Sequence, residues 1–253
     1  MRFGTVDPSV SRNPLPAQTR TQGSHIVSGL ARWEIRLRHE NAYGAILLSG
    51  SVVLLVMGAM HPIAIPWGDD VALSRLAAID ACAHSLAVLG TWLVMLGLIG
   101  LSRMLGLQRV TVMAALAAFA LASVAVVVAA ALDGFVIPKL AQEWTNADNA
   151  GGRDLQELVR FCVLAASSLT RIYLLLGAVA VSLWSWVIYR NRLSAGLPWV
   201  GAVVCLAGMA MLIGGSAYIS AHEVLILVAG QAVWMLLAAL LMFRNHVKPR
   251  SDP

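Results

Sequence analysis

Six apolar windows follow one another along this chain, at Gly44–Met60, Ala83–Leu101, Val110–Leu132, Leu164–Tyr189, Leu197–Gly215 and Val224–Phe243. Each is long enough for a helix to cross about 30 Å of hydrocarbon, which takes roughly 17 to 25 residues. In lipid, backbone N–H and C=O groups must be bonded within the protein, so repeated windows of this length become helices. The expected fold is all-α: a polytopic membrane protein, a bundle of six transmembrane helices. Composition agrees, with 59% hydrophobic residues, 12% charged and a mean hydropathy of +0.77; soluble domains carry roughly a quarter charged residues. The windows are spread over residues 44–243 of 253 with short connections, so a single membrane domain (44–243) is expected, with no separate catalytic domain.

Three shorter stretches flank it. Residues 1–28 are rich in Ser, Thr, Pro, Gly and Gln and read as a disordered cytoplasmic tail; they lack the pattern of a signal peptide. Residues 29–43 place Leu30, Trp33 and Leu37 on one helical stripe with Arg32, Arg36 and Arg38 off it, which is the pattern of an amphipathic juxtamembrane helix. Residues 244–253 form a second short cytoplasmic tail.

Charge sets the expected orientation. Of the 18 Lys and Arg residues, 13 fall before the first window, in the second and fourth connections, or after the last window. The positive-inside rule makes that side cytoplasmic and places both termini there. Most acids lie on the other side: Asp69, Asp70, Asp80, Asp133, Glu143, Asp148, Asp154, Glu157 and Glu223. The basic pI is thus a consequence of topology, and nucleic acid is excluded as a partner because no clustered basic patch exists. Trp33, Tyr43, Trp184, Trp186, Tyr189 and Trp199 are expected at the inner boundary, and Trp67, Trp144 and Tyr218 at the outer one, as interfacial belts.

The third window is almost wholly Ala, Val and Leu, and its small side chains suit close helix packing at the centre of the bundle. Outside, the Pro62–Ile79 connection should hold a short helix capped by Asp69 or Asp70 that runs on into the second span. The longest outer loop is expected from Gly134 to about Glu157, where Pro138 and Gly151–Gly152 interrupt helices. Cys82 and Cys162 both fall near the outer face, which allows a disulfide, while Cys205 reads as a buried small hydrophobe.

Ionisable residues near the ends of apolar windows are costly in lipid and mark functional sites. Here they gather in the outer half: His61, His84, Asp133, Arg171, His222 and Glu223. Neutral imidazole is the commonest protein ligand of transition metals and also binds haem iron. His61, His84 and His222, with Asp133 or Glu223 as an alternative oxygen ligand, therefore form a candidate metal set. Against it stands the bland reading in which each histidine merely sits in the interface, and Glu223 also completes a capping box with Ser220. Glu157, Arg160, Leu164, Ser167 and Arg171 share one helical face. Arg171, Arg160 and Asp133 are the candidate ligand-binding residues, since guanidinium suits carboxylate or phosphate; Asp133 and Glu223 are the expected ion partners of Arg171. Gln231 is expected to be hydrogen-bonded glue between helices. No nucleophile carries a sequence sign of activation, Ser167 and Ser168 included.

The stretches “MHP” (Met60–Pro62), “AHSLAVLG” (Ala83–Gly90) and “LDGFVIP” (Leu132–Pro138) resemble a widespread class of uncharacterised bacterial six-span membrane proteins. The resemblance covers most of the transmembrane region. It implies the six-span topology and a bacterial inner membrane, brings no activity with it, and matches His61, Pro62, His84 and Asp133. The residues themselves suggest an outward-facing polar pocket for a metal, haem or a small anionic ligand. The alternatives are a non-catalytic membrane subunit that docks a partner protein, and an intramembrane enzyme using His and Asp as acid and base.

Overall fold

The computed structural model describes the backbone of residues 22–60, 70–145, 151–214 and 221–247, and side chains over 41–60, 77–144, 152–210 and 223–244. Among these residues every element is helical: α1 (Gln22–Met60), α2 (Asp70–Leu105), α3 (Val110–Ala131), a π-helical turn (Leu132–Val136), α4 (Ile137–Thr145), α5 (Gly151–Arg190), α6 (Leu197–Gly214) and α7 (Ala221–Val247). Five of the helices are long and apolar enough to cross a membrane, and α6 adds a shorter apolar stretch over Leu197–Ala210. Residues Met1–Arg38 form one compact unit and His39–Pro253 another; the helix bundle lies in the second. Among the described residues α1 opens at Gln22, so part of the stretch read as a tail, with Ile26 and Val27, is helical. The start of α2 at Asp70 agrees with a helix opening at Asp69 or Asp70.

Glycines set how closely α1 and α2 approach. A Cβ on Gly50 would lie 2.7 Å from the Val94 backbone nitrogen, and one on Gly97 would strike the backbone of Leu47. Because backbone cannot rotate aside, only glycine permits this crossing, which is the small-residue packing expected of membrane helices. α2 then stops where Gly106 takes a left-handed conformation (φ 98°), an arrangement that side chains with a Cβ disfavour.

α3 buries Val112, Ala115, Phe119, Ala122, Ala125 and Ala129, one residue each helical turn, against α5 and α2. Its opposite face is open, with Leu121, Val124 and Val128 exposed. The central helix is therefore α5, not α3: 56% of the most apolar part of α5 is buried, against 33% for α3. Small residues here serve one close-packed face; they do not make the helix central.

The core between α2, α3, α5 and α7 is aromatic. Trp184 is fully buried, stacks on Trp234 at 6.2 Å and meets Phe119 at 6.1 Å. Both indoles are satisfied, Trp184 donating to Ser102 Oγ at 3.1 Å and Trp234 to Ser185 Oγ at 3.0 Å. Trp184 is thus a core residue and not a member of an interfacial belt, since its N–H finds a hydroxyl inside the bundle. Trp186, Tyr189 and Trp199 are exposed, as belt residues would be.

The expected outer loop beginning at Gly134 is also replaced. Helical structure continues from α3 through the π-turn and α4 to Thr145, and α4 packs back on α5. Pro138, the second residue of α4, does not break the chain because it follows directly on the wide turn, whose shifted register leaves one backbone bond out of the helical ladder. The wide turn ahead of it is closed by the Ile137 N–H on the Leu132 carbonyl, five residues back.

Candidate functional site

Contacts along the helices fix their relative heights. Arg109 bonds Asn191 at 2.9 Å, which sets one end of the α3–α5 pair. At about 1.5 Å per residue, Asp133 stands about 36 Å above that level and Arg171 about 30 Å. α2 runs parallel to α5 with Trp184 bonded to Ser102, so His84 stands at about 37 Å. Gly177 packs on Gln231, which brings Glu223 to about 33 Å. Leu47 lies against Gly97, and Met60 and His84 are each about 20 Å farther along their helices from that contact. The end of α1, His84 within α2, the π-turn and the start of α7 thus share one layer, roughly a hydrocarbon thickness from the Arg109–Asn191 end.

Within this layer the structure brings Asp80, His84 and Asp133 into contact. His84 Nδ1 is 2.9 Å from the Asp80 carbonyl oxygen and 3.2 Å from its Oδ1. A carbonyl only accepts, so Nδ1 carries a hydrogen and donates. Across the ring, His84 Nε2 faces Asp133 Oδ2 at 3.3 Å. The imidazole is buried, its side chain 8% exposed, whereas the Asp133 side chain is 48% exposed. Asp80 reaches His84 because it stands one helical turn before it, at i and i+4. Asp133 reaches it because the extra residue of the π-turn re-aims the chain beyond α3; such turns recur at functional sites.

Gly134 completes the arrangement. A Cβ there would lie 2.5 Å from His84 Cβ and 2.6 Å from Cγ, so the π-turn backbone rests directly on the histidine side chain. Neither Asp80 nor Gly134 stands among the candidates that the sequence offers by itself. The spacing in “IDACAH” was the available signal for Asp80, but nothing in “LDGF” announces a π-turn.

No family model matches this chain, nor does any curated protein or solved structure. The site's chemistry rests on its own geometry.

Of the remaining candidates, His61 lies outside the described residues, as do Trp67, Ser220, Tyr218 and the side chain of His222, whose backbone is in the first turn of α7. Glu223, in the same turn, is half-buried, as is Arg171 on α5; both are engaged in interactions. Arg160 is exposed and about 16 Å farther along α5 than Arg171, so the two guanidinium groups do not converge on one small anion. Among the described residues no three His, Cys, Asp or Glu side chains are arranged to hold a metal ion. Cys82 is exposed and Cys162 buried, and both are free, so the disulfide does not form; Cys205 is only half-buried. The Ser168 hydroxyl donates to the Leu164 carbonyl of its own helix at 2.8 Å, which leaves it unactivated. Gln231 is buried as expected, but its Oε1 has no hydrogen-bond partner among the described residues, so it does not act as glue through that atom.

Proposed function

We propose that this chain is a multi-pass protein of the bacterial inner membrane, with both termini cytoplasmic, whose outward-facing site binds a divalent transition metal ion through His84 and Asp133. The observation that carries this reading is the pairing of His84 Nε2 with Asp133 Oδ2 at 3.3 Å, while Nδ1 is committed to Asp80. With its hydrogen on Nδ1, the imidazole presents a lone pair at Nε2, and a carboxylate oxygen is also an electron-pair donor. Two such atoms face each other favourably only with a proton or a cation between them.

A proton there makes a charge-assisted hydrogen bond, and a divalent cation would take the proton's place between the same two atoms. Asp80 then does what a carboxylate behind a metal-bound histidine does: it fixes the tautomer and the ring plane. His61 and the side chain of His222 lie outside the described residues, so this reading is carried by His84 and Asp133. A haem iron fits less well, since Asp133 occupies the space beyond Nε2 that a porphyrin would need.

Elemental analysis of the detergent-purified protein tests this directly. Near-stoichiometric zinc, copper or iron, lost in His84→Asn and in Asp133→Asn while the helical signal is kept, is the expected result. A metal-free protein that takes up no zinc in titration calorimetry would refute the reading. A second reading, a non-catalytic subunit that docks a membrane partner, draws on Gly134 packing against His84, which makes the histidine a pin between α2 and the π-turn. It is favoured if His84→Asn costs folded protein and no metal is present.

A further inference from the structure

The π-turn lies between the His84–Asp133 pair and α4. A π-turn holds one residue more than an α-turn, and its carbonyl register is shifted accordingly: the Ile137 N–H reaches Leu132, whereas an α-helix would send it to Asp133. At the start of the turn the Leu132 N–H is shared between the Val128 and Ala129 carbonyls, so the register changes there. Wide turns of this kind persist where surrounding contacts hold them. Here the contacts are Asp133 on His84 Nε2 and the Gly134 backbone against the His84 side chain. Beyond the turn, α4 packs on α5 with Ile137 and Ala141 buried and Lys139, Gln142 and Glu143 exposed.

From this placement we infer that the His84–Asp133 contact is a latch on the π-turn, so that occupancy of the site controls how α4 sits on α5. The inference rests on the metal reading for its trigger but not for its mechanics. With Asp133 held, the extra residue stays at Leu132–Val136. With Asp133 released, the turn relaxes to the ordinary α register, and α4 rotates by about 100°, the angle of one residue in a helix of 3.6 residues per turn. That rotation swings Ile137 and Ala141 off α5, so α4 loosens from α5. The segment that responds is the one leading away from the hydrocarbon layer, where a change of conformation is open to the aqueous phase.

Amide hydrogen exchange on the purified full-length protein, with and without added zinc, tests the latch. In Asp133→Ala, amides of residues 132–145 should exchange about tenfold faster or more than in the native chain, as expected for losing a contact between charged groups in a locally opening unit. The amides of α6 and α7 should not change. Zinc should slow the same amides of residues 132–145 in the native protein and leave those of the variant unaffected. Unchanged exchange at 132–145 in Asp133→Ala, or a rise spread evenly over all helices, overturns the latch. If the variant loosens this segment but the native protein binds no zinc, the latch stands and the metal reading falls. If zinc binds stoichiometrically and these amides do not respond, the latch falls and the metal reading stands.

Discussion

Gly134→Ala is the sharpest perturbation of this architecture, because it adds one methyl group at the point where the π-turn rests on His84. The added Cβ would lie 2.5 Å from His84 Cβ, whereas ordinary contacts begin near 3.4 Å, so the two backbones must part by about 0.9 Å. His84 Cβ is one bond from the α2 backbone, and no rotation of the side chain removes it. Overpacking of this kind costs about 1–3 kcal/mol, against a gain of up to about 1 kcal/mol from replacing a helical glycine. The net expectation is a loss of about 1–2 kcal/mol. Gly208→Ala is the control: its nearest neighbour would be Ala178 Cβ at 3.6 Å, an ordinary contact, so only the propensity gain remains. Reversible unfolding in mixed detergent and SDS micelles, followed by circular dichroism, compares the two variants under one set of conditions. The same displacement opens the His84–Asp133 pair, so zinc affinity of Gly134→Ala should fall about 10–100-fold, as when a metal ligand loses its orienting shell. A Gly134→Ala protein as stable as Gly208→Ala, with unchanged zinc binding, would refute the claim that Gly134 seats the histidine.

Three more substitutions probe neighbouring contacts. Ser102→Ala strands the buried Trp184 indole N–H and should cost about 1–3 kcal/mol in the same unfolding assay; no loss would mean that the indole finds another acceptor. Gln231→Met removes a buried amide whose Oε1 has no partner among the described residues, so stability should stay within about 1 kcal/mol of the native protein or rise; a loss beyond about 2 kcal/mol would show that the amide is engaged. Asp80→Ala keeps the backbone carbonyl on His84 Nδ1 but removes the carboxylate at 3.2 Å, and calorimetry should read a zinc affinity about 10–100-fold weaker. An unchanged affinity would make Asp80 irrelevant to the site.

The helices were legible because apolar runs of this length have few solutions in lipid, and the chain's long apolar helices fall on the same runs. Sequence reading went astray at local events decided by tertiary context. Pro138 reads as a helix breaker in isolation, but it breaks nothing once the preceding turn is wide and the proline falls in the first turn of α4. Trp184 reads as an interfacial residue by its distance from Arg190, but a serine on α2 supplies the partner its N–H requires inside the bundle. The alanine-rich third window reads as central, yet small side chains let a helix approach one neighbour closely and say nothing of how many neighbours it has. His84 and Asp133 were both visible as polar residues at window ends, but their meeting depends on the π-turn, whose extra residue leaves no mark in composition or period.

The polar groups at the two ends of the described bundle are used differently. At the Arg109–Asn191 end, polar groups are spent on each other: Arg103 on the Tyr43 hydroxyl at 2.9 Å, Arg109 on Asn191, and Trp184 on Ser102. Hydroxyls in the interior, such as Ser51 and Thr91, are returned to their own helices at the Leu47 and Ala87 carbonyls. At the far end a histidine is held between two carboxylates, one behind it on the same helix and one before it on a turn of unusual register. If the pairing were only structural, a neutral glutamine and asparagine would bridge α2 and the π-turn at lower desolvation cost. Two acids and an imidazole, half open to solvent through Asp133, are instead the groups on which the proposed cation site rests. For that reason the double substitution of His84→Gln with Asp133→Asn is the decisive comparison: it should retain the fold and the unfolding midpoint to within about 1 kcal/mol, by replacing both charged partners together, while abolishing zinc binding. A double variant that unfolds as readily as either single one would make the pair a structural clamp after all.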